Sequence, residues 1–129
     1  MTQLNIDMIS QPDKISLNST KIHEFGSLSV GSYLNTPYSD GPLDGIFGFI
    51  VSECRARISK IQAIAMETGE GISILYGIDS VHGANYISNA VMFPQQINAA
   101  ASFNPSLVFE MGRITGKDTE AAGIPWIFS

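Results

Sequence analysis

The chain has 129 residues, 44% of them hydrophobic and 15% charged, with a formal net charge of −5. That composition is globular rather than disordered, and the length suffices for one modest domain but not two. The seven basic residues are scattered, which excludes the basic footprint of a nucleic-acid binder. One cysteine, Cys54, permits neither an internal disulfide nor a cysteine-cluster metal site. No apolar stretch reaches membrane-spanning length. The first five residues, Met1 to Asn5, lack the charged and apolar regions of a signal peptide.

In chain order, residues 1–17 read as a helix end followed by a loop, broken at Pro12. Asn18 or Ser19 caps a short helix through Phe25, with Gly26 as its stop. Asn18-Ser19-Thr20 is also a glycosylation triplet, a pattern that chance produces easily. Residues 28–34 alternate with period two and predict a strand. Residues 35–51, rich in Gly, Pro and Asp, form a long loop. Ser52 is placed to cap a helix over 53–67, whose Cys54, Ile58, Ile61 and Ala65 form one stripe with Ile64 beside it. Glu53 and Arg57 lie four apart on its outer face, and Gly69 and Gly71 end it.

Residues 72–78 are almost unbroken in apolar character, the pattern of a strand buried on both faces of a parallel sheet. An irregular polar segment then runs to Phe93, and Pro94 opens a short helix through about Ala101. Asn104-Pro105 starts a helix to Ala122, with Leu107, Met111, Ile114 and Ala121 facing inward and Gly123 as stop. Residues 124–128 begin a further buried strand. Strand, helix, strand, helix, strand implies crossover units and a parallel sheet.

Asp79 is the candidate binding residue, because it stands where an apolar strand hands over to a loop. In parallel α/β folds ligands gather at that edge. A carboxylate there accepts hydrogen bonds from a hydroxyl-rich ligand, or else it caps the following turn; the residues alone leave both open. His82 reads as a loop-shaping residue. His23 is the only other histidine, and neither has partners at metal-ligand spacing. Ser80 and His82 invite a serine-hydrolase reading, but no G-x-S-x-G elbow occurs and the two lie too close in sequence. Glu67, Glu70, Glu110 and Glu120 read as solvated helix charges. Gly112 and Gly116 read as an accident of helix packing. Phosphate-loop and dinucleotide fingerprints are missing, so no cofactor is expected.

Tyr76-Gly77-Ile78-Asp79-Ser80-Val81-His82-Gly83-Ala84-Asn85 resembles the first strong signature of glycoside hydrolase family 3. Met92-Phe93-Pro94, the small-residue run Ala99 to Ser102, and Asn104-Pro105 resemble the family's next elements in order. Gly112-Arg113 and Thr119-Glu120-Ala121-Ala122-Gly123-Ile124 resemble its following helix, and Trp126-Ile127-Phe128-Ser129 the strand after it. Gly31-Ser32-Tyr33-Leu34 is similar to the first barrel strand, and Met1-Thr2-Gln3 to an internal part of the family's first helix.

The resemblance implies an α/β fold: a partial (β/α)8 barrel of about three strand–helix units, forming an incomplete N-terminal domain over residues 1–129 with no second domain. A whole barrel needs ~250 residues. It implies a retaining β-glucosidase-like parent acting on a β-glucoside or β-glucan oligosaccharide. A leader peptide would then lie upstream of Met1 in a secreted parent, and these residues leave the compartment open. Asp79 would bind hydroxyls of the non-reducing-end sugar, with residues 35–40 lining the approach. The family's nucleophile, its acid/base glutamate, and the arginine and lysine–histidine pair that hold the sugar would all lie beyond Ser129. The isolated chain is therefore expected to be inactive. The alternative expectation is a standalone sugar-binding or interaction module.

Overall fold

The computed structural model describes residues 3–129, so Met1 and Thr2 of the Met1-Thr2-Gln3 resemblance lie outside the described residues. Four strands form one parallel sheet in the order of the chain: β1 (Gln3–Asn5), β2 (Ser32–Leu34), β3 (Leu75–Asp79) and β4 (Trp126–Phe128). Between them lie the helices α1 (Ser19–Ser27), α2 (Val51–Thr68), α3 (Gln96–Ala101) and α4 (Pro105–Ala121). Each strand thus lies beside its predecessor after a helical crossover, which is the winding of a (β/α)8 barrel. Three strand–helix units and a fourth strand are present among the described residues.

The N-terminal expectation needs correction. Residues 3–5 are a strand rather than a helix end, and a 3-10 turn over Ile6–Ile9 follows. Gly31 to Leu34 therefore contribute to the second strand of this sheet, not the first. Nothing in Gln3-Leu4-Asn5 alternates over enough residues to signal a strand; pairing with β2 creates it. β2 is also shorter than expected. After α1 the chain reverses at Ser29 (φ 56°), and the Val30 N–H donates to the Phe25 carbonyl at 3.1 Å, so pairing begins only at Ser32.

β3 starts at Leu75 because the Gln62 side-chain amide satisfies both backbone groups of Ile74, at 2.8 and 2.9 Å. Ile72 and Ser73, expected in the strand, lie outside it and are exposed.

The helices follow their capping chemistry with informative exceptions. Asn18 accepts from the Lys21 N–H and Asn104 from the Leu107 N–H, both at 3.1 Å. Gly26 does not stop α1 but lies buried within it. A methyl group there would stand 2.2 Å from Thr68 Oγ1, so its role is to let α1 cross α2 closely. Ser52 lies inside α2 rather than capping it; the Glu53 carboxylate instead accepts from the Ile50 N–H at 3.1 Å. Arg57 does not pair with Glu53 on the outer face. It turns inward, donates from Nη1 to the Ile15 carbonyl, and stacks 4.6 Å from the Phe49 ring centroid.

The core lies between the sheet and the pair α1, α2. Ile6, Ile9, Ile22 and Ile61 are fully enclosed there with Tyr33, Tyr76 and Ile78, and the expected α2 stripe is buried throughout. On α4 the expected inward face is partly wrong. Leu107 is 49% exposed, while Thr115 and Thr119 are buried. Their hydroxyls donate to the carbonyls of Met111 and Thr115 at 2.8 Å, so both threonines pack as small apolar groups. Gly112 and Gly116 have nothing within 4 Å of a would-be Cβ, so neither marks a close packing contact.

Candidate functional site

The strand register assigns side chains to the two faces of the sheet. Tyr76 and Ile78 point toward α2, where they border a cavity with Cys54, Arg57 and Ile58. Leu75, Gly77 and Asp79 alternate with them and face the other way. Gly77 aligns with Leu34 and Trp126, and Asp79 with Phe128. A Cβ on Gly77 would stand 2.9 Å from the Phe128 ring and 3.6 Å from both Trp126 and the Gln3 amide. The face away from α1 and α2, the lumen side of a barrel, therefore carries Gln3, Ser32, Leu34, Trp126, Phe128 and Asp79.

Asp79 is the last residue of β3 rather than the first of the loop. Its backbone is held in the ladder, since the following Ser80 N–H donates to the Phe128 carbonyl at 2.8 Å. The carboxylate is partly exposed and has no hydrogen-bond or ion-pair partner among the described residues. It does not cap the turn that follows. Beside it, the Asn35 N–H donates to the Gly77 carbonyl at 2.9 Å, so the loop after β2 leaves the sheet close to the level of Asp79. Within that loop, Asp40 pairs with Lys14 at 3.3 Å in the open.

The loops after β2 and β3 are tied together: the Ser88 N–H donates to the Phe49 carbonyl at 2.8 Å and Ser88 Oγ to Gly48. His82 contributes through its backbone, whose carbonyl accepts from the Phe93 N–H at 2.8 Å; its imidazole makes no hydrogen bond among the described residues. The turn itself is set by Gly83, at φ 105°, where a Cβ would meet the Val91 carbonyl oxygen at 2.4 Å.

Ser80 is 2% exposed and its Oγ has no partner, so no hydrogen bond joins it to His82. A nucleophile and its base need that contact, and this arrangement does not supply it. Among the described residues, no group of three or more His, Cys, Asp or Glu is placed to hold a metal ion. No helix among them is long and apolar enough to cross a membrane.

Sequence reasoning singled out Asp79 but missed the aromatic floor beside it. Trp126 and Phe128 stack at a centroid distance of 4.5 Å across the space that Gly77 leaves open. The period-two pattern Leu75, Gly77, Asp79 against Trp126, Phe128 held that signal.

Known proteins share this architecture and sequence. The family model for the glycosyl hydrolase family 3 N-terminal domain matches residues 34–129. A lysosomal beta glucosidase of Dictyostelium discoideum is 40% identical over 131 aligned residues, covering all of this chain and 16% of that protein. A crystal structure of a variant of an exo-1,3/1,4-beta-glucanase from a Pseudoalteromonas species superposes with a TM-score of 0.75 at 25% identity. It covers 98% of this chain and 19% of that one. The chain thus spans about one sixth of the length of the curated relative it matches. With the sequential parallel sheet, the family match over most of its length and these relatives, this chain belongs to glycosyl hydrolase family 3, within that family's N-terminal domain.

Proposed function

We propose that this chain forms the opening part of the sugar-binding barrel of a β-glucosidase-like enzyme, and that Asp79 accepts hydrogen bonds from hydroxyls of the sugar at the cleavage position. The observation that carries this reading is the free carboxylate at the end of β3. It faces the lumen side, beside Phe128 and without a partner among the described residues. A buried or half-buried carboxylate normally finds hydrogen-bond donors; sugar hydroxyls are the donors this position lacks. The aromatic floor suits the apolar face of a pyranose ring.

Retaining glycosidases use one carboxylate as nucleophile and a second as acid and then base. In this proposal Asp79 takes neither part. It fixes the ring while groups elsewhere in the protein perform the displacement, so residues 3–129 alone do not turn over substrate. Two preparations test the proposal, both on an aryl β-glucoside: the full-length protein and the isolated chain. The expected result is hydrolysis with retained anomeric configuration, followed by NMR, in the full-length protein only. Turnover by the isolated chain that disappears on changing Asp79 overturns the assignment of the chemistry to other parts. A sugar-binding module without catalysis is the outcome if the full-length protein binds glucose but hydrolyses no β-glucoside.

A further inference from the structure

Two asparagines of the chain cap helices in the same way. Asn18 accepts from the Lys21 N–H and Asn104 from the Leu107 N–H, each through Oδ1 at 3.1 Å. Each also has a hydroxyl residue two places on, Thr20 and Ser106. They differ in the residue between. Ser19 leaves Asn18-Ser19-Thr20 a complete N-glycosylation triplet, whereas Pro105 disqualifies Asn104-Pro105-Ser106. No other asparagine of the chain has a serine or threonine two places on.

A triplet that arises by chance places no demand on the fold. One that is used must leave its amide nitrogen open to a bulky, hydrated chain of sugars at the surface. Asn18 meets that demand. Its cap bond uses only the amide oxygen, and Nδ2 makes no hydrogen bond among the described residues. The side chain is partly exposed and Thr20 lies on the surface. Beside Asn18 the surface is hollowed into an open depression of about 470 Å³, bordered by Met8, Gln11, Pro12, Lys14 and Lys21. Met8, 51% exposed, offers apolar area to the flat of a pyranose ring, and Gln11 and Lys14 offer polar groups to its hydroxyls.

The cap and the modification are compatible atom by atom. Glycosylation replaces one N–H of the carboxamide and leaves Oδ1 as the acceptor, so α1 keeps its cap. Aspartate and serine cap a helix about as well as asparagine. Of the three, only asparagine carries a nitrogen that takes a sugar while its oxygen caps.

We propose that Asn18 is an N-glycosylation site, and that the first N-acetylglucosamine of its chain rests on the depression at Met8. The oligosaccharide comes from a lipid-pyrophosphate donor. The C1–O bond to the pyrophosphate breaks, a bond from C1 to Nδ2 forms, the amide gives up one proton and the lipid pyrophosphate leaves. Donor and transferase act in the lumen of the endoplasmic reticulum, so the protein passes through that compartment. The site is independent of the sugar-binding reading, because α1 lies on the other side of the sheet from the face that carries Asp79.

The test uses the full-length protein purified from its own cells. Trypsin cuts after Lys14 and Lys21, and mass spectrometry of the peptide Ile15–Lys21 should show an N-acetylhexosamine core, while Asn104 is bare. Asn18→Asp, which keeps the cap, should lose the added mass, and so should Thr20→Val; Thr20→Ser should retain it. Enzymatic removal of the chain from the folded protein should speed tryptic cleavage after Lys14, which borders the depression. An unmodified Ile15–Lys21 peptide overturns the proposal, as does an added mass that survives Thr20→Val. Equal cleavage rates before and after removal overturn the seating of the first sugar.

Discussion

Replacing Asp79 with alanine in the full-length protein separates a binding role from a structural one, because the side chain does nothing for the fold that the structure records. It makes no hydrogen bond or ion pair among the described residues, and the strand around it is held through backbone groups. Its removal should therefore change stability by no more than about 0.5 kcal/mol, the range for substitutions away from structural features. The effect on catalysis should be large. Two carboxylate oxygens free for sugar hydroxyls correspond to two hydrogen bonds to a charged group, each about 1.5–3 kcal/mol. Losing both costs about 3–6 kcal/mol, or about 10²–10⁴ in kcat/KM. Asp79→Asn keeps one acceptor oxygen and should fall between alanine and the unaltered enzyme. The assay is steady-state hydrolysis of an aryl β-glucoside, with thermal unfolding as the control. An unchanged kcat/KM in a normally folded Asp79→Ala protein refutes the reasoning.

Other consequences follow from the packing. Gly77→Val places branched carbons where even one methyl group stands 2.9 Å from Phe128; overpacking of about 1–3 kcal/mol should lower the melting temperature and weaken sugar binding together. Ile61→Ala, at a fully enclosed position of α2, should cost about 2–5 kcal/mol in urea unfolding. Burial pushes the Cys54 thiol up to about 11 from 9.0, so a disulfide reagent at pH 8 should label it only on unfolding. The same shift favours the neutral thiol in the folded state, so its stabilisation is complete below about pH 9 and lost as pH rises toward 11. The stability advantage of the unaltered protein over Cys54→Val should shrink across that window. The isolated chain leaves β1 and β4 paired on one side only among the described residues, with Phe103 and Ile97 93% and 78% exposed. It should bind a hydrophobic dye and lack a cooperative melt; sharp unfolding of a monomer would contradict this.

Much of this architecture was legible in the residues. The α2 stripe, the caps Asn18 and Asn104, and the apolar run ending at Asp79 all express local chemistry, and all three appear in the fold. Failures came where a distant partner decided the outcome. β1 exists because β2 lies beside it, and β3 begins late because Gln62 reaches back to Ile74. Gly26 looked like a helix stop but serves the crossing with α2, and Arg57 looked like a surface partner of Glu53 but found Phe49. Thr115 and Thr119 were missing from the expected inward face of α4, because hydropathy ignores a hydroxyl that bonds its own helix. At the candidate site, the carboxylate was visible and its aromatic neighbours were not, because β4 meets β3 only through the sheet.

Because Asp79 terminates a paired strand instead of sitting in the segment that follows, the hydrogen-bond ladder sets its coordinates. Under the proposed reading, the acid that meets the sugar is therefore held by the sheet rather than by the loop that follows it.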